Sequence, residues 1–236
     1  RCGIVASDRD VEVMGGLRLS NGCKVIHVPS YLQGLWKACQ TQAETTGSSV
    51  EWQQRSVTAK DLLHNEDFDA TVLCAGAGLF TNGIVSSLLP VQLVRGQSLE
   101  LYCSQPHALL LGKYISPLPD PNLTLVGATH EFKSAALSEA QVISELKERT
   151  SAFFSLDGSA VHRVTSGVRV QSERGTYGRR PIIGRYDTSV WVFTGLSSRG
   201  LLYHGRYGEI LADAVIHNDE ERLLDYCSDM LWWKSQ

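Results

Sequence analysis

The octapeptide Thr71-Val72-Leu73-Cys74-Ala75-Gly76-Ala77-Gly78 constrains the fold of this chain more than any other stretch. A short apolar run with no polar alternation cannot sit on a solvated sheet face. It predicts a strand buried on both sides, as in parallel sheets covered by helices. The glycines at its end predict a tight exit turn, where the absence of a side chain lets backbone approach a ligand closely. A strand of this kind commits at least part of the chain to an α/β arrangement.

The rest of the sequence alternates helix and strand signals, consistent with a mixed α/β or α+β fold. A helix is predicted over residues 29–46, with Pro29 suited to its first turn and Gly47 to its end. Val28, Leu32, Leu35, Trp36 and Cys39 share one face at helical spacing. A strand is predicted over 50–57 and a polar segment over 60–69. Residues 91–102, 107–116 and 123–129 predict three strands of an antiparallel meander, with Pro117, Pro119 and Pro121 turning the chain between the last two. Ser138 and Gln141 form a capping box for a helix over 138–154, with Leu137 and Val142 as its hydrophobic staple. Strands over 161–171 and 190–194, a helix over 207–217 and an amphipathic tail over 220–233 complete the reading.

Bulk properties exclude several function classes. The 236 residues carry a formal charge of −3, and 43% are hydrophobic. This balance gives no electrostatic drive toward nucleic acid or a membrane surface. No run approaches the roughly 20 apolar residues that span a bilayer. No charged segment leads into an apolar one as in a secretory signal. The six cysteines, Cys2, Cys23, Cys39, Cys74, Cys103 and Cys227, have neither zinc-site nor disulfide-framework spacing. Reduced thiols in an intracellular compartment are therefore expected. The chain begins at Arg1 rather than Met, which we read as processing or truncation. The seven histidines are scattered without metal-ligand spacing.

Three segments carry candidate chemistry, each beside a plainer reading. Gly76-Ala77-Gly78-Leu79-Phe80-Thr81 follows the buried strand, as a dinucleotide-binding loop does, but Thr81 stands where the third glycine belongs. A simple strand-exit turn is the commoner reading of such a segment. Arg169 stands in a strand pattern between Val168 and Val170. A buried arginine needs an acidic partner or an anionic ligand, and structural ion pairs are the commoner case. Thr194-Gly195-Leu196-Ser197-Ser198-Arg199-Gly200-Leu201-Leu202 joins a strand to the last helix. Small residues before a helix N-terminus suit an anion, or simply make a compact loop.

Taken in order, these segments resemble the D-amino-acid oxidase superfamily of FAD-dependent oxidoreductases. They are similar to glycine oxidase and to the FAD domain of the enzyme that trims carboxymethyl groups from tRNA wobble uridines. The likeness runs through Gly15-Gly16-Leu17 and Val25-Ile26-His27-Val28-Pro29, then Pro90-Val91 with Val94-Arg95-Gly96-Gln97. It continues through Leu125-Val126-Gly127-Ala128-Thr129 and Gly167-Val168-Arg169, and closes on Pro181-Ile182-Ile183-Gly184 and the segment from Thr194 to Leu202. The resemblance implies FAD as cofactor. Val57 would contact adenine, Ala75 and Gly76 the ribose and pyrophosphate, and Ser198, Arg199, Gly200, Leu201 and Leu202 the flavin. It further implies that Arg169 grips a substrate carboxylate and that Tyr114 lies near the substrate.

Two features depart from the family pattern. The family opens on a strand and a G-x-G-x-x-G loop that this sequence does not contain. Gly178-Arg179-Arg180 replaces the usual residues before Pro181, adding positive charge that either favours a more anionic ligand or is simply exposed. The expected division is an incomplete Rossmann-like FAD-binding unit over 26–84 and 177–236. A substrate unit on a mixed or antiparallel sheet takes 1–25 and 85–176. The expected activity is oxidation of an amine or amino acid at its C–N bond. Hydride would pass to the flavin, the imine would hydrolyse, and O2 would be reduced to H2O2. A small-molecule partner follows. A tRNA partner has no support from the net charge, and no membrane partner is expected. The rival reading is a truncated, non-enzymatic chain acting as an interaction module or persisting as an inactive fragment.

Overall fold

The computed structural model describes residues 3–4 (backbone only), 24–63, 67–85, 89–132, 135–173 and 179–235. In chain order the elements are β1 (Gly3–Ile4), α1 (Val28–Thr46), α2 (Ala59–Leu63), β2 (Thr71–Leu73), α3 (Gly78–Thr81) and β3 (Val91–Tyr102). There follow β4 (Leu109–Leu111), β5 (Lys113–Pro117), β6 (Leu123–Gly127), α4 (Glu139–Thr150) and β7 (Phe154–Ser155). The last are β8 (Val161–Ser172), β9 (Ile182–Asp187), β10 (Val190–Thr194) and α5 (Gly200–Ile216). This is the mixed α/β fold expected. The segments Gly15-Gly16-Leu17 and residue Gly178 lie outside the described residues.

The chain forms two compact units. One comprises Arg1–Gln54, Gly96–His130 and Ala135–Ser166. The other comprises Arg55–Arg95, Glu131–Ser134 and Gly167–Gln236.

The first unit is built on a sheet of order β4-β5-β6-β3-β8, in which the pairs β3–β6, β6–β5 and β5–β4 are antiparallel as expected. However, β3 lies beside β6 and not beside the strand that follows it in the chain, so the order is not that of a simple meander. Alternation along the strands sends Leu99, Leu101, Ile115 and Val126 to one face. There they join Val142 and Leu146 of α4, and Phe154, in one buried cluster. Truncating any of these leucines to alanine removes about 2–5 kcal/mol. The entry to α4 is fixed twice. Gln141 Oε1 accepts from the Ser138 N–H at 2.9 Å and Ser138 Oγ from the Gln141 N–H at 3.4 Å, closing the capping box. The amide side chain of Gln97 also holds Leu137, accepting from its N–H at 2.9 Å and donating to its carbonyl at 3.3 Å.

Three further expectations in this unit change. The strand expected over 107–116 is a hairpin of β4 and β5, because the chain reverses at Gly112 with φ +69°. α4 stops at Thr150, since Phe154 leaves the helix for β7 and the core. Cys103 is disulfide-bonded rather than reduced, while Cys39, Cys74 and Cys227 are free thiols. α1 ends as predicted, on Gly47 at φ +68°, where the Ser48 N–H reaches the Ala43 carbonyl at 2.9 Å. Its apolar face remains exposed, with none of its residues buried.

The second unit centres on a sheet of order β2-β10-β9, with β2 parallel and β9 antiparallel to β10. Leu73, Leu79, Ile182, Val190 and Val192 pack on one face together with Trp232. Ile183 and Trp191 pack on the other against Ile210, Leu211 and Ala214 of α5, with Leu223 and Met230. The segment over 50–57 forms no strand. The tail packs back as its amphipathic pattern predicts. Its Trp232 and Trp233 indoles donate to the carbonyls of Pro181 and Ile183, each at 3.0 Å.

Candidate functional site

β2 and β10 run side by side in the same direction, with Thr71 opposite Val190 and Leu73 opposite Val192. Their carboxyl ends therefore open at one edge of the sheet, the position where parallel α/β sheets take ligands. Val57 packs, partly buried, against the cluster that contains Leu73.

At the exit of β2, Gly76 adopts φ +53°, and a Cβ added there would meet nothing within 4 Å. The position both needs glycine and leaves open space beside the backbone. The chain then turns through Gly78 N–H to Ala75 carbonyl at 3.0 Å. Cys74 is exposed as a residue, yet burial around its thiol pushes the thiol pKa up. It therefore stays a neutral thiol rather than a reactive thiolate.

At the exit of β10, Gly195 takes φ +69° and Ser197 φ +55°. Ser197–Arg199 form a single 3-10 turn, and α5 begins directly at Gly200. This corrects the expected helix start near Tyr207. Gly200, Leu201 and Leu202 are not a loop before the helix but its first turn. Its N-terminus has no side-chain cap and no acidic residue in the first turn. The positive end of the dipole therefore has no acidic side chain of its own first turn beside it, which favours an anionic group there. Arg199 folds back instead, donating to Tyr203 Oη at 2.9 Å. Leu202 is 73% exposed and Thr194 is 4% exposed. The Thr194 hydroxyl is buried with no hydrogen-bond partner among the described residues.

Arg169 lies on β8 in the same unit, half-buried between Val168 and Val170. Its guanidinium makes no ion pair with any described residue. The plainer reading, a structural ion pair, finds no acid there. Arg179 and Arg180 differ from it. Arg179 donates to Gln171 Oε1 at 2.6 Å, and Arg180 pairs with Asp229 at 2.9 Å. Both are occupied within the protein.

Tyr114 stands in the other unit, on β5, with its Oη 3.1 Å from Ser98 Oγ. Ser98 did not stand out in the sequence. Only the sheet register, with Ser98 opposite Gly127 and Gly127 opposite Tyr114, brings the two hydroxyls together. Among the described residues, no group of His, Cys, Asp and Glu could hold a metal ion and no helix is long and apolar enough to cross a membrane.

The residues around the β2 and β10 exits fit FAD in kind. The open backbone at Gly76, the uncapped N-terminus at Gly200 and the orphaned Thr194 hydroxyl are what a ribose, a phosphate or a flavin edge would use.

Comparison with known proteins gives the same picture. The profile of the DAO family, described as FAD dependent oxidoreductase, matches residues 4–214. No curated protein matches the chain significantly. Among solved structures, glycine oxidase from Geobacillus kaustophilus is 23% identical over 64% of this chain and 42% of its own, with a TM-score of 0.50. Iminodiacetate oxidase from Chelativorans sp. BNC1 is 20% identical over 79% of this chain and 55% of its own, at 0.52. L-Proline dehydrogenase from P. horikoshii is 13% identical over 71% and 48%, also at 0.52. At these identities the likeness is one of fold. The chain spans about half the length of these structures.

Proposed function

Because the chain belongs to the family of FAD-dependent oxidoreductases, we propose that the protein carrying it oxidises the C–N bond of an amine or amino acid. The observation that carries this reading is Arg169, a half-buried guanidinium with no acid beside it among the described residues. Such a group is stabilised by an anionic ligand, and its planar fork fits a carboxylate in two parallel hydrogen bonds. Tyr114 is assigned to the substrate as well.

Val57, Ala75 and Gly76 are assigned to the adenosine and pyrophosphate side of FAD. Ser198, Arg199, Gly200, Leu201 and Leu202 are assigned to the flavin side. The chemistry that FAD supplies when bound is acceptance of the substrate's hydride, with O2 as the final oxidant and H2O2 as the reduced product. The side chains hold the substrate by its carboxylate so that its C–H is correctly aimed, and orientation of this kind contributes much of the barrier reduction. With FAD bound, the first turn of α5 would hold its flavin side and favour negative charge there through the helix dipole. Released imine is hydrolysed by water. The functional division we infer places FAD-facing residues over 26–84 and 177–236 and substrate-facing residues over 1–25 and 85–176.

The test is to load the complete protein with FAD and mix it anaerobically with glycine, sarcosine, iminodiacetate and L-proline in turn. Bleaching of the flavin band by at least one, with H2O2 appearing once air is admitted, is expected. A loaded protein that none of these, nor a broader amine panel, can bleach overturns the reading.

A further inference from the structure

Ser98 on β3, Gly127 on β6 and Tyr114 on β5 lie abreast across three neighbouring strands. Their sequence neighbours Leu99, Val126 and Ile115 point into the cluster under α4. The alternation of strands therefore sends Ser98 and Tyr114 to the opposite face. Ser98 is buried and Tyr114 half-buried, and the Oγ–Oη contact of 3.1 Å is the only hydrogen bond of the Ser98 hydroxyl among the described residues. Between them stands Gly127. A Cβ at that position would collide with Tyr114 Oη, Tyr114 Cζ and Ser98 Oγ together. The two hydroxyls meet because the residue between them is glycine, which has no Cβ.

We propose that Ser98 is a positioning residue for Tyr114 in carboxylate recognition, resting on the assignment of Tyr114 to the substrate. A phenol has one proton to give. If Tyr114 gave it to Ser98, only lone pairs would face an arriving anion, which repels them. If Ser98 donates instead, its O–H fills a lone pair of Tyr114 Oη and the phenol proton is free for a carboxylate oxygen. An anionic ligand selects that polarity, and the chain runs from Ser98 to Tyr114 to carboxylate. Each bond in such a chain polarises the next, and a charged acceptor strengthens the last. Gly127 provides the space in which the pair closes.

The experiment is a double-mutant cycle on the complete, flavin-loaded protein, with acetate as the carboxylate probe and calorimetric titration as the readout. Tyr114→Phe is expected to weaken acetate binding roughly tenfold or more, as loss of a hydrogen bond to a charged group does. Ser98→Ala is expected to weaken it roughly three- to tenfold. The double variant should bind acetate no more weakly than Tyr114→Phe alone, because Ser98 acts only through the phenol. A merely structural Ser98 would give the same loss in both backgrounds, and that result overturns the proposal, as does an unaltered Ser98→Ala protein. If Tyr114→Phe itself binds acetate like the wild type, or the wild type does not bind it, the assignment of Tyr114 fails and the proposal falls with it. A loss in Tyr114→Phe without one in Ser98→Ala leaves that assignment standing and removes only the positioning role.

Discussion

Glu220 takes the backbone N–H of Arg185 on one carboxylate oxygen at 2.5 Å and the ammonium of Lys234 on the other at 2.7 Å. Arg185 lies on β9, an edge strand of the second unit's sheet among the described residues. With the two indoles that donate to Pro181 and Ile183, the tail meets three successive polar groups along that edge. An open edge is a template for pairing with another chain, and here side chains close it. Glu220→Ala should leave the Arg185 N–H without its charged acceptor and free the Lys234 end of the tail. A loss of about 1–2 kcal/mol is expected, reduced from the fully buried case because Glu220 is partly exposed. Thermal unfolding measures it, and concentration-dependent self-association should accompany it. An unchanged midpoint would mean that the tail is held by its tryptophans alone.

The same region carries an acid-sensitive clamp. Arg222 grips Asp213 of α5 through Nε at 2.7 Å and a terminal nitrogen at 3.0 Å. Arg222's hydrogen bonds hold the Asp213 carboxyl below the usual carboxylate range, assisted by the charges of Arg222 and His217. A folded-state pKa below the unfolded value means stability that is present above the unfolded pKa and lost as pH falls through the folded one. Asp213→Asn should therefore flatten the acid limb of the stability-versus-pH curve below the ordinary aspartate pKa. Denaturant titrations across that window decide it. An acid limb identical to wild type would show that the pair contributes nothing.

Arg169→Lys is expected to raise KM for a carboxylate substrate by roughly tenfold or more, since an ammonium cannot reproduce the two parallel bonds of the guanidinium. The structure sharpens this test. Arg169 has no ion-pair partner among the described residues, so its replacement breaks no internal salt bridge. The variant should therefore keep the wild-type unfolding midpoint while losing substrate affinity. Equal KM values in steady-state kinetics would remove Arg169 from the substrate site.

How much of this was legible in the sequence depends on how local each signal is. The capping box at Ser138 and the Pro29 and Gly47 boundaries act within one helical turn, and both helices appear where those residues place them. Gly200 and Gly205 lower local helix propensity, so the start of α5 read as a loop. The helix forms because Ile210, Leu211 and Ala214 bury against Trp191 and Ile183, and tertiary packing of that kind overrides propensity. Gly112 splits one apolar run into two strands through a single positive φ. The pairing of Ser98 with Tyr114 depends on the register of three strands, and the oxidation of Cys103 on which thiol the folded chain brings to it. Neither leaves a mark in the spacing of residues.

The corrected start of α5 turns an ambiguous substitution into a decisive one. Gly200 could have been required for a positive φ, in which case any side chain there would disturb the fold. It is instead helical, at φ −52° and ψ −50°, and an added Cβ would meet only Leu196 Cβ, at 4.0 Å. Valine is therefore compatible with the backbone, at the small cost a β-branched residue carries in a helix. What valine would change is the space in front of the uncapped N-terminus, where the flavin edge is placed by the reading above. Gly200→Val should fold with a circular dichroism spectrum and unfolding midpoint close to wild type, yet copurify with much less FAD. Full flavin content in a folded variant would exclude the first turn of α5 as the flavin contact. A variant that does not fold would contradict the open geometry at Gly200 itself.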